Sequence, residues 1–232
     1  MQSLNADHDD AVPIWTDRLL VVVGGGGFDP AVLRDLVGRG ALVVGADGGA
    51  DAALLAGVVP ELVIGDLDSL EDVEAWRERT RVVAIDEQDT TDFEKCLYSV
   101  SAPLTVALGM TGGRFDHTLA ALHSVTLHGA SRRIVLVDAV DAAMALSGAA
   151  ELDLPAGTRV SIHPLSTVCF LRSEGLRYQL DGLTLAPGLR TGTSNQANGG
   201  RVRIVTDPSQ PGVYLLILPL AHLPQLLSMS GF

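Results

Sequence analysis

The segment Gly65-Asp66-Leu67-Asp68-Ser69 follows the apolar run Leu62-Val63-Ile64. A strand that ends in Asp-x-Asp sets two carboxylates on one face, roughly 7 Å apart along the chain. That arrangement suits a hard divalent cation, which takes oxygen ligands and shares phosphate oxygens. Three more acidic segments lie nearby in the sequence: Ala46-Asp47-Gly48-Gly49, Asp86-Glu87-Gln88-Asp89-Thr90-Thr91-Asp92 and Gly112-Gly113-Arg114-Phe115-Asp116-His117. Each sits where an apolar run gives way to a turn. Together they read as a site for a metal and a polyphosphate.

Each segment also has an ordinary structural reading. Asp47 could cap a helix, because Asp accepts hydrogen bonds from first-turn amides. Asp51, one turn on, reads as a solvated helix residue. Ser69 or Asp68 could cap the helix expected from Leu70. The run Asp86–Asp92 could be a solvated acidic loop, with Thr90 or Thr91 capping the helix that follows. Lys95 is the only lysine, and every other basic side chain is Arg. A lone lysine beside acids suits a phosphate; an ion pair with Glu94 or Asp92 is the alternative. Arg114 can grip a phosphate in bidentate fashion, while Asp116 could cap its helix and His117 reads as a helix-start residue. The run Gly24–Gly27 lets backbone amides approach a phosphate. It lacks the spacing of a dinucleotide loop and the Lys-Ser/Thr ending of a P-loop. Gly192-Thr193-Ser194-Asn195-Gln196 offers hydroxyls and amides in an expected turn between strands.

The elements that must position these groups follow from the apolar pattern. Strands are expected at Leu19–Val23, Ala41–Val44, Leu62–Ile64, Val82–Ile85, Thr105–Leu108 and Ile134–Val137. Helices are expected at Ala31–Val37, Ala50–Ala56, Leu70–Arg79, Thr91–Val100 and Asp116–His128. Continuous apolar strands alternating with helices predict a mainly parallel sheet covered on both faces. Near residue 148 the pattern changes. Short segments at Arg159–Ile162, Val168–Phe170, Leu176–Tyr178, Arg201–Val205 and Val213–Ile217 alternate with Gly, Pro, Asp and Asn turns, which predicts an all-β region, a sandwich or small barrel. The reading is therefore a loose leader over 1–16, an α/β catalytic domain over 17–147 and a β-sandwich domain over 148–232, with a ligand site between the last two.

Composition narrows the function. With 47% hydrophobic side chains in 232 residues, a sizeable core is available. Sixteen basic against 28 acidic residues give a net charge of −12, which offers no footprint for nucleic acid. A polyphosphate would be repelled unless a divalent cation and local arginines neutralise it, which points to Mg²⁺. Cys96 and Cys169 form neither a disulfide framework nor a zinc spacing and read as small buried hydrophobes. No apolar run reaches the roughly 18 residues of a membrane span. Residues 1–10 have no basic region followed by an apolar one, as a secretory signal would. A soluble protein in the cytoplasm is expected.

Taken together and in order, several segments resemble the thiamine pyrophosphokinase family. They are Ala46-Asp47-Gly48-Gly49-Ala50, Gly65-Asp66-Leu67-Asp68-Ser69, Gln88-Asp89-Thr90-Thr91-Asp92-Phe93 with Lys95-Cys96-Leu97, Gly113-Arg114-Phe115-Asp116, Gly175-Leu176-Arg177-Tyr178 and Thr193-Ser194-Asn195. The resemblance runs from about Leu19 to Leu218. It implies an α/β catalytic domain, a C-terminal β-sandwich and a homodimer. It also implies transfer of a pyrophosphoryl group from ATP to the hydroxyl of thiamine, giving thiamine diphosphate and AMP. Carried onto this chain, it implies Asp66, Asp68 and Asp92 as ligands of Mg²⁺, and these with Arg114 as the catalytic set. It implies Asp47, Gln88, Asp92, Lys95, Arg114 and Asp116 around ATP, and Ser194 and Asn195 on the thiamine side. The chain departs from some members in having Gln196 where they have Glu, and Tyr178 where they have Trp.

Two other readings stay open at this point. The chain could transfer pyrophosphate to another hydroxymethyl heterocycle such as a pterin; the Thr193-Ser194-Asn195 segment favours thiamine. It could instead be a regulator that binds nucleotide or thiamine without turnover. The intact carboxylate set argues against that, because a pure binder has no need to hold so many acids near a triphosphate.

Overall fold

The computed structural model describes residues 14–232, so most of the expected leader lies outside the described residues. Ile14–Trp15 (β1) pairs in parallel with Val100–Ser101 (β6). The fold is mixed α/β, with one ten-stranded and one four-stranded sheet besides that pair.

Six strands of the large sheet run parallel in the order β8-β7-β2-β3-β4-β5. They are β2 (Leu20–Val23), β3 (Leu42–Ala46), β4 (Leu62–Gly65), β5 (Arg81–Ala84), β7 (Thr105–Leu108) and β8 (Ile134–Val137). All but the edge strand β5 are buried along their whole length. That burial explains why they read as unbroken aliphatic runs: parallel strands carry helices on both faces. The helices are α1 (Pro30–Gly38), α2 (Gly49–Leu55), α3 (Val73–Arg79), α4 (Asp92–Ser99) and α5 (Phe115–His128). Asp29 caps α1, with Pro30 at its first position, and Thr91 caps α4 by accepting from the Glu94 amide. Helix α3 begins three residues later than the sequence predicts. Its cap is Asp72, whose carboxylate accepts from the Ala75 amide at 3.0 Å. The helix also buries a side chain, since Trp76 is 1% exposed.

After β8 the large sheet continues with antiparallel pairing. β9 (Asp141–Leu146), β16 (Tyr214–Pro219), β11 (Arg159–Pro164) and β14 (Gly192–Gln196) follow one another outward. The four-stranded sheet runs β10 (Ala150–Leu154), β15 (Gly200–Thr206), β12 (Val168–Glu174), β13 (Thr184–Leu185). Its Leu152, Phe170 and Val202 share one apolar core with Ile162 and Tyr214 of the large sheet. The Phe170 and Tyr214 rings meet edge-on, 5.5 Å between centroids, a favourable aromatic geometry.

Several local expectations change. Gly192–Gln196 is an edge strand with a register shift, not a turn; its turn-like composition reflects Ser194, whose φ is +60°. Leu176–Tyr178 is not a strand and keeps a single bridge, Leu176 to Ala197. A helix, α6 (Leu223–Ser228), closes the β region, with Leu223, Leu226 and Leu227 buried at helical spacing. These leucines therefore belong to the chain's own core. Cys96 is buried as expected, but Cys169 is only partly covered. Among the described residues no helix is long and apolar enough to cross a membrane.

Candidate functional site

The carboxyl ends of β2, β3, β4 and β7 open onto a cavity of about 440 Å³, the usual place for a ligand in an open α/β sheet. Its wall includes Gly24–Gly26, Asp47, Asp66, Gln88, Asp92, Lys95 and Arg114. Six of the residues marked out in the sequence thus converge on one space. Their approach depends on glycine. A Cβ on Gly65 would lie 2.7 Å from the Asp47 Cβ and 3.1 Å from Asp92 Oδ1. A Cβ on Gly49 would lie 1.8 Å from the Val23 carbonyl oxygen, so α2 can start against β2 only without a side chain there.

Asp47 does not cap α2; that position is Gly48, with no side-chain bond. Asp47 instead adopts φ +47° and is 2% exposed. Its Oδ2 accepts from the Ser69 amide at 3.0 Å, while its Oδ1 is buried with no hydrogen-bond partner among the described residues. Burial raises its pKa above the ordinary carboxylate value. The Ser69 bond pulls the other way, and the charges of Asp92 and Asp66 add to the rise. Asp66 behaves oppositely. Its Oδ2 accepts from Gln88 Nε2 at 2.9 Å and its Oδ1 from the Asp68 amide at 3.3 Å. The Gln88 bond leads in lowering its pKa, with the Asp68 amide and Lys95 contributing. Leu67, between the two acids, has φ +69°, a left-handed kink that folds the loop back on itself.

Carboxylate oxygens of Asp47, Asp66 and Asp68 all lie within 4.8 Å of one another. An orphaned buried oxygen at Asp47 beside two further carboxylates is a donor set that fits a hard divalent cation. Asp92 stands beside this group, not in it, and is held by Lys95, whose Nζ lies 3.2 Å from Asp92 Oδ1 and 3.8 Å from Asp66 Oδ2. Lys95 is 1% exposed. It takes the ion-pair alternative, as an internal counter-charge facing the cavity.

At the rim, Arg114 grips Asp116 with two bonds, Nε to Oδ1 at 3.2 Å and Nη2 to Oδ2 at 2.7 Å. Asp116 is therefore a partner of Arg114 and not a helix cap, and both are exposed. His117 also lines the cavity.

The thiamine-side residues of the resemblance lie elsewhere. Ser194 and Asn195 sit on β14, seven strand positions from β3 in the same sheet, roughly 35 Å at the usual interstrand spacing. Asn195 is buried and its amide is spent inside the chain. Its Oδ1 accepts from the Tyr178 and Gln196 amides at 3.0 and 2.8 Å, and its Nδ2 donates to the Tyr178 carbonyl at 2.7 Å. The Ser194 amide donates to Ser161 Oγ at 3.0 Å.

Two carboxylates that sequence reasoning passed over also shape the site. Glu87 gathers four donors: Tyr98 Oη at 3.0 Å, the Asp89 and Thr90 amides at 2.7 and 3.0 Å, and the Thr90 hydroxyl. These bonds, the Thr90 hydroxyl first, hold its pKa down at about 2. Glu87 thereby shapes the loop that delivers Gln88 and Asp92. The signal was present as an acid two and three residues ahead of free amides, a side-chain turn pattern. Asp51 is the other. It is not merely solvated, because it bonds Trp76 and the Glu71 amide.

Residues 33–136 match the family model described as thiamin pyrophosphokinase, catalytic domain. Thiamin pyrophosphokinase 1 of Caenorhabditis elegans is 28% identical over 171 residues, covering 65% of this chain and 68% of that protein. Thiamine pyrophosphokinase 1 of Oryza sativa subsp. japonica is 28% identical over 168 residues, covering 64% of this chain and 63% of that protein. The crystal structure of thiamin pyrophosphokinase from Geobacillus thermodenitrificans superposes with a TM-score of 0.71 at 27% identity, covering 87% of this chain and 97% of that one. All three comparisons indicate the thiamine pyrophosphokinase family.

Proposed function

We propose, on that family footing, that the protein transfers the pyrophosphoryl group of ATP to the hydroxyl of thiamine, giving thiamine diphosphate and AMP. The observation that carries this reading is the convergence of the Asp47, Asp66 and Asp68 carboxylates to within 4.8 Å of one another, with Asp47, Asp66, Asp92 and Lys95 lining one cavity at the strand ends.

Asp66 and Asp68, with Asp47 behind them, would hold Mg²⁺, and Asp92 completes the acidic wall. Bound there, Mg²⁺ supplies charge neutralisation for the phosphate oxygens of ATP. The chain's own part is mostly positioning and electrostatics, as in phosphoryl transfer generally. Gln88 fixes the rotamer of Asp66, and Lys95 fixes Asp92 while offsetting part of the negative field. Arg114, at the rim, exchanges Asp116 for a phosphate. The thiamine oxygen attacks the β-phosphorus in line. The bond from that phosphorus to the bridging α-oxygen breaks, and AMP leaves with the electron pair. Asp92, in the cavity wall, and Asp68, beside it, are the candidates to receive the hydroxyl proton. The same acidic wall suits the cationic thiazolium ring of thiamine.

The finer architecture is part of the same reading. The chain divides near residues 147 and 148 into an α/β catalytic domain and a β-sandwich domain that binds thiamine, and it works in the cytoplasm. Ser194 and Asn195 serve thiamine from a second copy of the chain, since strand spacing puts them far from their own cavity. An apolar stripe supports such a homodimer: Phe115, Leu119 and Leu127 are all exposed on α5, which starts at the cavity rim.

Incubation with ATP, Mg²⁺ and thiamine tests the reaction. Equal yields of AMP and thiamine diphosphate are expected, with no ADP. ADP and thiamine monophosphate, or no turnover with thiamine while a hydroxymethyl pterin is consumed, would overturn it.

A further inference from the structure

The loop between β4 and α3 carries both acids of the Asp-x-Asp pair, yet it belongs to no strand or helix. Its position must come from side chains. Asp47 Oδ2 takes the Ser69 amide at 3.0 Å. One helical turn on, Asp51 makes two bonds: its Oδ2 accepts from the Glu71 amide at 3.1 Å and its Oδ1 from the Trp76 indole Nε1 at 2.8 Å. Trp76 is fixed in turn, because it forms a small core of its own with Ala50 and Val63. Leu67 packs against that core, and Leu67 is the residue between Asp66 and Asp68. The loop is therefore tied twice to one body. An apolar tie acts at Leu67 and a polar tie at Glu71, and both lead to the pair Asp51–Trp76. Asp51 itself is not in the cavity wall.

We propose that Asp51 is a positioning residue. Through Trp76 and the Glu71 amide it sets the separation of Asp66 and Asp68, and so sets the affinity of the site for a divalent cation. This deepens the metal-dependent reaction proposed above and rests on it. A carboxylate is needed because it accepts at both oxygens in fixed directions. An amide in its place can accept at only one and must turn a donor towards the other partner.

The test measures Mn²⁺ binding to the nucleotide-free protein by calorimetric titration, Mn²⁺ standing in for Mg²⁺ as an ion that favours oxygen ligands. Thermal midpoints and the Mg²⁺ dependence of turnover are recorded in parallel. Asp51→Ala is expected to weaken Mn²⁺ binding roughly tenfold, the size of one lost hydrogen bond to a charged group. Asp51→Asn should fall between it and the wild type. Half-saturating Mg²⁺ should rise by the same factor, with the KM for thiamine unchanged. If Asp51→Ala does not fold, Asp51→Asn carries the test, with Trp76→Phe, which removes the indole donor together with part of the ring volume in the small core, as a second variant. Wild-type Mn²⁺ affinity in the folded variants overturns the proposal, whatever happens to their thermal midpoints. The two readings fail separately. A wild type that makes no thiamine diphosphate while Mn²⁺ affinity shifts as expected faults the reaction and keeps the positioning role. Normal turnover with unshifted affinity faults the positioning role alone.

Discussion

The Ser69 amide nitrogen lies 3.0 Å from Asp47 Oδ2, and the opposite oxygen of that carboxylate is buried with no partner among the described residues. One bond holds the loop, and a carboxylate oxygen of Asp47 lies within 4.8 Å of those of Asp66 and Asp68. With its pKa raised, Asp47 is stabilising when protonated, and that stability is lost as pH rises through its folded value. Asp47→Asn should therefore raise the thermal midpoint at pH 7 without Mg²⁺, and the gain should vanish below about pH 4, near the unfolded value. Thermal melts across pH measure it. Adding Mg²⁺ should stabilise the wild type and not the variant.

Asp68→Asn should keep the fold and remove most turnover, roughly a hundredfold or more, because a neutral amide is a weaker ligand for a hard cation. Steady-state assays at saturating Mg²⁺ decide. Near-normal rates in both Asp66→Asn and Asp68→Asn would sink the metal assignment.

Glu87→Gln replaces an acceptor of four hydrogen bonds. A loss of about 1 kcal/mol is expected at pH 7, or roughly 3 °C for a chain of this size. Because the folded pKa of Glu87 is depressed to about 2, its contribution is full above the ordinary glutamate value and fades as pH falls towards 2. The difference between variant and wild type should shrink in that window. Melts at pH 7 and pH 3 give the comparison.

Asn195→Ala and Ser194→Ala should separate structure from binding. Asn195 pins Tyr178 at both amide and carbonyl, so its loss should lower the thermal midpoint and raise the KM for thiamine together. The Ser194 side chain is exposed, so its loss should raise the KM for thiamine and leave the midpoint alone. Neither should alter ATP binding. An equal loss of ATP affinity would show that β14 acts on the whole molecule.

Leu119→Asp should break the proposed dimer. Light scattering is expected to fall from about twice the chain mass to the chain mass. ATP binding should persist while thiamine turnover is lost. A monomeric variant with full turnover would show that one chain holds a complete site.

The parallel half was legible because fully buried strands leave an unbroken aliphatic signature, as in Leu20–Val23 and Ile134–Val137. The acids of the cavity were legible for a related reason: loops at strand ends carry few residues, so Asp66 and Asp68 stand out. Other features left no local mark. Asp51 looks like any exposed helix acid until Trp76, 25 positions away, is folded over it. The edge strand β14 hid behind Gly, Thr, Ser and Asn, because its pairing is set by β11 and not by its own side chains. The distance from Asn195 to the cavity is a property of strand order, which runs β14-β11-β16-β9-β8-β7-β2-β3 and cannot be read from spacing.

The pair β8–β9 carries a consequence for motion. Four consecutive residues, Ile134–Val137, are in register with Ala142–Ala145, and on its other edge β8 is equally bound to β7. A hinge there would have to tear a hydrogen-bonded ladder, so the parallel and antiparallel halves cannot swing open and shut like the lobes of a clamshell. Amide hydrogens of β8 should be among the slowest to exchange, and heat should melt both halves in one transition. Water must then be kept from the attacked phosphorus by loop rearrangement or by a neighbouring molecule, not by bending of the sheet.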